Sequence, residues 1–186
     1  MKYLYMGLLG LFLFSGCAQL SIDEKNAARS KIDLIAQQTI DALVKKNAQI
    51  PSEIKNAEAY AVINWKVTKI PIVGAGGGNG VIVNTKTGER KYFNVTRFDF
   101  GGGWGVKSFK NLLLINDKEL MQRAMKKGDF KFEVGAEVAA GTAGVDGGSG
   151  QLVQTKTKSY MLLDGGASAT VTTRLLYYTM DNKLNN

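Results

Sequence analysis

Glycines 74, 76, 78 and 80 share one parity. Alternate side chains of a strand point to opposite faces, so a strand over Val73–Val83 presents a face with no side chain at four successive positions. Glycine in a strand loses conformational entropy and adds no packing. Such a run is expected where another backbone, or a ligand, approaches closely. The spacing returns at Gly101, Gly103 and Gly105, within Phe100-Gly101-Gly102-Gly103-Trp104-Gly105-Val106, so two bare-faced strands are predicted. Phosphate-cradling glycine loops lead from a strand into a helix. Here the run continues into Val81-Ile82-Val83 and a Thr87-Gly88 turn, with neither G-x-G-x-x-G nor G-K-[ST]. Close backbone packing is the expectation, with a lipid-lined groove as the alternative and nucleotide binding disfavoured.

The flanking sequence supplies helices at the start and strands after them. Ser21-Ile22-Asp23-Glu24 has capping-box form and starts a helix whose apolar stripe is Ala28, Ile32, Ala36, Thr39 and Leu43, with Ile35 and Ile40 beside it. Pro51-Ser52-Glu53 opens a short second helix ending near Ala59. Strands are predicted at Ala61–Ile63, Val73–Val83, Lys91–Val95, Arg97–Val106, Leu112–Ile115 and Phe130–Val138, with Lys66 and Lys69 on a connecting loop. Asn116 and Glu119 cap a third helix that buries Leu120 and Ala124 and ends at Gly128. Gly141–Gly150 reads as a loop, Asp164-Gly165-Gly166 as the turn of a final hairpin (Gln151–Leu163 with Ala167–Tyr178), and Asn182–Asn186 as a frayed tail. The fold class is therefore α+β, a mainly antiparallel sheet of about seven to nine strands curled into a barrel or sandwich to hide its edges. An N-terminal helix and one or two short helices pack against it.

The chain carries 24 Lys+Arg against 16 Asp+Glu and no histidine. Without imidazole there is no Ser-His triad and no histidine zinc site, and one cysteine permits neither an internal disulfide nor a cysteine metal cluster. Residues 1–16 read as a leader: Lys2 is its positive end, and Leu4–Phe14 is apolar but short for a permanent span. Phe14-Ser15-Gly16-Cys17 resembles the bacterial lipoprotein signal, which implies an acylated (palmitate-type) Cys17 at the mature N-terminus. The alternative is an ordinary signal peptide with a stray thiol. Ala18 in place of Asp implies the outer membrane, facing the periplasm. Removing the leader leaves 23 basic and 16 acidic residues, net +7, a surface suited to anionic partners.

Several blocks fall in a recognisable order: Ala57–Ile63, Gly74–Val83, Gly102-Gly103-Trp104-Gly105, Leu113-Leu114-Ile115-Asn116, and Gly128–Phe132 through Ala139–Gly144. Together they resemble the SYLF domain, a lipid-binding or yeast actin-binding-like family, over about Pro51 to Tyr178. The resemblance implies a lipid-binding module, in bacteria often a secreted or lipoprotein form. The family's Trp-Ser-x-Pro segment is replaced here by Arg90-Lys91-Tyr92-Phe93-Asn94-Val95, so no binding residue is carried over at that place. The implied organisation is leader 1–16, acylated N-terminus and amphipathic helix 17–50, SYLF-like domain 51–178 and tail 179–186.

Catalytic candidates are few. Asp99, Asp146 and Asp164 stand beside glycines, and Glu133 and Glu137 alternate along one strand; no catalysis, cofactor, metal or nucleic acid is expected. The expected function is binding of anionic phospholipid or another acidic envelope component. An envelope structural protein with a protein partner is the alternative. Candidate ligand residues are Gly74, Gly76, Gly78, Gly80, Gly101, Gly103, Trp104 and Gly105, flanked by Lys66, Lys69, Lys107 and Lys110. Neighbouring antiparallel glycine strands would gather these lysines at one end of a bare groove.

Overall fold

The computed structural model describes residues 20–126, 129–142 and 157–186, with 129–142 and 165–175 as backbone alone. Helix α1 (Ile22–Lys46) starts as its sequence dictates. The Ser21 hydroxyl accepts from the Glu24 amide, and the Glu24 carboxylate accepts from the Ser21 amide. Ile32, Ala36, Thr39 and Leu43 are its buried stripe. Helix α2 (Ile50–Asn56) follows at once, with Pro51 in its first turn.

Five antiparallel strands curl into a half-barrel: β1 (Ala59–Lys69), β2 (Val73–Asn84), β3 (Arg90–Ile115), β4 (Asp129–Thr142) and β5 (Thr157–Met180), in the order β1-β2-β3-β5-β4 with an added β1–β3 pairing. The α+β class and the curled antiparallel sheet are as expected. Among the described residues the strands are fewer and longer than the sequence suggested. Arg90–Phe100 pairs with β2, and Gly105–Ile115 pairs with β1. β3 therefore runs up one side of the β1–β2 hairpin, turns over its tip and descends the other side. The turn lies at Gly101, Gly103 and Gly105, whose φ values of 136°, 133° and 149° exclude other residues without strain. β5 follows β3 along its whole length.

Four local expectations give way. Lys66 and Lys69 lie inside β1 rather than on a loop. Asp164-Gly165-Gly166 is no turn: β5 runs through it, and the register slips by one where Ser108 faces Gly165 and Phe109 faces Leu163. Asp164 is the extra residue of a bulge, its carboxylate 2.6 Å from Lys110 Nζ. The tail forms a short helix, α4 (Asn182–Asn185), capped by Asp181; Leu184 is buried, and its carbonyl accepts from Arg29. Helix α3 (Lys118–Lys126) is capped by Asp117, not Asn116, through the Leu120 amide at 2.8 Å. The Gly128 stop and most of the Gly141–Gly150 loop lie outside the described residues, although Gly141 and Thr142 belong to β4.

Both faces of the sheet are covered away from the hairpin tip. On one, Ala61, Ile63, Trp65, Phe93, Phe109 and Leu113 pack with Leu120, Met121, Ala124 and Met125 of α3. On the other, Val62, Val81, Tyr92, Leu112 and Leu114 pack beneath α1, α2 and Leu184. A continuous apolar stretch such as Leu112–Ile115, all four buried, follows from this double cover.

Candidate functional site

The glycines of β2 are filled by backbone. A Cβ on Gly78 would lie 1.9 Å from the Asn64 carbonyl oxygen, on Gly80 2.4 Å from that of Val62, and on Gly76 2.8 Å from that of Lys66. β1 thus lies on the bare face of β2, and the close-packing expectation holds there rather than the open groove. The core contributes no lipid chamber among the described residues. A void of about 20 Å³ between Ala61, Ile63, Phe93, Leu113, Ala124 and Tyr178 has room for little more than one water.

The four lysines are close in register but divided between faces. Lys66 stands opposite Ser108, Lys69 opposite Gly105 and Val67 opposite Lys107. Lys66 is exposed and Lys110 is half-buried against Asp164, while Lys69 and Lys107 are buried on the concave side. A single cluster of four cations around a groove is therefore not formed. The cause is parity: 66 and 110 belong to the outer set of positions, 69 and 107 to the inner one.

Near the tip the concave side is charged. Arg97 and Asp99, each 2 % exposed, form a two-pronged pair at 2.6 and 2.7 Å. Lys107 Nζ lies 5.4 Å from the centre of the Phe109 ring, which stacks on Trp65. Gly74 lies between Lys69 and Asp99; a Cβ there would meet both side chains at 3.2 Å. Lys69 Nζ is buried with no hydrogen-bond partner among the described residues. Burial holds its ammonium below the usual lysine range; the Asp99 charge offsets this in part, and Arg97 adds to it.

The convex side of the same segment is apolar and uncovered. Ile70, Ile72, Val73, Phe98, Phe100, Trp104 and Val106 are all exposed, Trp104 by 71 % and Ile72 by 75 %. They continue the face that α1 covers at the other end. Of these, only Trp104 was singled out by sequence reasoning. Arg97-Phe98-Asp99-Phe100 carried the missing signal, since a strand alternating charge with aromatic rings has one polar and one apolar face whichever way it is turned.

The remaining candidates fall elsewhere. Asp99 is the buried partner of Arg97 and Asp164 the partner of Lys110, so both are occupied by ion pairs. Cys17 and Asp146 lie outside the described residues, as do the side chains of Glu133 and Glu137. No helix among the described residues is long and apolar enough to cross a membrane, and no group of three acidic or cysteine side chains there is arranged for a metal. No protein-family model matches the chain, and no curated protein does.

Proposed function

We propose that the chain is a non-catalytic, SYLF-like lipoprotein of the bacterial cell envelope, held on the periplasmic side of the outer membrane by acyl chains on Cys17, and that it binds anionic lipid. The observation that supports this reading is the exposed apolar end of the sheet, seven large side chains gathered around one hairpin tip. A contiguous apolar surface of this kind marks an interaction site rather than ordinary exposure. The exposed Lys66 behind it and the basic balance of the chain favour an anionic surface. Acyl chains contribute about 0.8 kcal/mol per buried methylene, so the anchor alone localises the protein, and the sheet end then meets lipid at high effective concentration.

The test uses the mature chain, residues 17–186, carrying Cys17→Ser so that no acyl chain contributes. It is expected to sediment with vesicles containing phosphatidylglycerol, more weakly as salt rises. Absence of binding to such vesicles would overturn the lipid reading and leave the protein-partner alternative. In cells, Cys17→Ser is expected to leave the protein unprocessed or outside the membrane fraction.

A further inference from the structure

The tip of the sheet is built inside out. Its concave side holds Lys69, Arg97, Asp99 and Lys107, all buried, and its convex side holds Ile70, Val73, Phe98, Phe100, Trp104 and Val106, all exposed. In water the stable arrangement is the reverse. Polar inside and apolar outside is the polarity of strands immersed in lipid.

Three further features fit hydrocarbon rather than a protein partner. First, three amides at the turn are satisfied within the fold, as a nonpolar medium requires. Ile70 N donates to Val73 O at 3.0 Å, Gly101 N to Ile72 O at 2.9 Å and Gly103 N to Pro71 O at 3.2 Å, while Pro71 has no amide hydrogen to satisfy. Second, the convex face of the first three strands is free of charge over a defined length. Thr68 of β1 and Ile70 just beyond its end, Val73, Ala75 and Gly77 of β2, and alternate residues of β3 from Asn94 to Ser108 include no Lys, Arg, Asp or Glu. The first charges on these strands are Lys66 and Lys110; Lys131 and Glu133 stand two strands away on β4, at the register positions across from Tyr177 and Leu175. From Lys66 to Ile70, the residue after the end of β1, is four positions, about 13 Å at a strand rise of about 3.3 Å, close to the half of a hydrocarbon core that is about 30 Å thick. Lys66 then stands at head-group depth, where a lysine reaches phosphate. Third, β5 continues the sheet beyond β3. It brings Leu175, Thr173, Val171, Ala169 and Ala167, none of them charged, to the register positions across from Phe98, Phe100, Gly102, Trp104 and Val106. β4 changes register phase by a bulge between Val134 and Glu137, so that Glu137 stands across from Thr172, which faces Gly101, whereas Glu133, before the bulge, stands across from Leu175 at the edge of the sheet.

We infer that the hairpin tip, with β3 folded over it, enters one leaflet of a bilayer as preformed sheet, its charged concave side shielded from lipid by the strands themselves. This rests on the lipid-binding reading but makes a separate claim: the contact penetrates the acyl region rather than resting on head groups.

The two tryptophans of the chain allow a direct test, because Trp65 is in the core and Trp104 is at the tip. The mature Cys17→Ser chain and its Trp104→Phe variant are mixed with phosphatidylcholine–phosphatidylglycerol vesicles whose acyl chains carry bromine. Trp104 emission is expected to shift to the blue and to be quenched about twofold, as for a side chain below the head groups, while the Trp65 emission left in Trp104→Phe is unchanged. Phe98→Ser/Phe100→Ser is expected to abolish the salt-resistant part of binding. Binding with no quenching of Trp104 overturns insertion and leaves lipid binding standing, whereas no binding overturns both. A blue shift that grows with protein concentration without vesicles, with dimers in sedimentation, would assign the face to self-association and overturn the inference.

Discussion

Replacing Gly78 by alanine adds one methyl group where the sheet has no space. That Cβ would stand 1.9 Å from the Asn64 carbonyl oxygen, 2.9 Å from its carbon and 3.4 Å from Trp65 Cα. These are backbone atoms of the paired strand, so no rotamer change relieves the overlap. Reaching the 3.0 Å below which real Cβ contacts essentially do not occur requires a separation of at least 3.0 − 1.9 = 1.1 Å between β1 and β2, within a ladder where Gly78 pairs with Trp65. The entropic benefit of removing a glycine, about 0.4–1 kcal/mol, is far too small to offset this. A loss above about 4 kcal/mol is expected, in the range reserved for backbone strain and core overpacking. For a domain of this size each kcal/mol moves Tm by about 2–4 °C, so the midpoint should fall by about 8–16 °C or the protein should not fold. Gly77→Ala is the matched control: its Cβ would meet nothing nearer than Val95 O at 3.4 Å, and a change within about 1 kcal/mol is expected. Thermal melts of both variants decide the matter. A Gly78→Ala midpoint near that of the parent, or equal losses at 77 and 78, would refute the close apposition of β1 on β2.

Further outcomes follow from three charged groups. Lys69→Met removes a buried ammonium with no hydrogen-bond partner among the described residues, and should stabilise by about 1–3 kcal/mol in urea titrations. Since the folded-state pKa of Lys69 is lowered, the unfolded chain binds more protons between that pKa and the ordinary 10.5. Parental stability should gain from this group as pH rises through that window, a gain that Lys69→Met abolishes. Asp99→Asn breaks a fully buried pair and should cost about 3–5 kcal/mol; a neutral result in the same titration would mean that the pair contributes little. Glu53 ties α2 to β5 by accepting from Lys158 Nζ at 2.7 Å and from the Tyr160 hydroxyl, in that order the causes that hold its carboxyl below the usual range. Its contribution is complete above the unfolded value near 4.5 and lost as pH falls through the folded one, so Glu53→Gln should cost about 0.5–1.5 kcal/mol at neutral pH and flatten the acid limb of the stability curve.

What could be read from the sequence was what neighbours along the chain decide. The Ser21–Glu24 box, the α1 stripe and the Thr87-Gly88 turn between β2 and β3 each depend on residues within one or two turns. Continuity of the long strands depends on a distant partner instead. Thr96 and the stretch between Val106 and Leu112 look like interruptions until β2 and β1 pair along them, and Asp164-Gly165-Gly166 has turn chemistry that serves equally for a bulge once β3 fixes the register. The site was hidden for a related reason. Lysines in a strand-like stretch are expected at the surface, so Lys66 and Lys69 read as loop charges. Only the curl of the sheet, which buries odd positions of β1 even at its tip, separates Lys69 from Lys66.

The route of β3 around the hairpin also fixes an order of events. Lys69 meets Gly74 across five residues, whereas the nearest pair of β3 and β5, Ile115 and Thr157, meets across 42. Closing the longer loop costs about 1.9 kcal/mol more, by the logarithmic dependence of chain entropy on loop length. β1, β2 and β3 pair with one another entirely within residues 59–115, and β5 has only β3 and β4 to join. The three-stranded unit is therefore expected to act as the template, with β5 joining it afterwards. Substitutions along β5 should accordingly hasten unfolding with little effect on the folding rate, while those at the β1–β2 contact should slow folding itself.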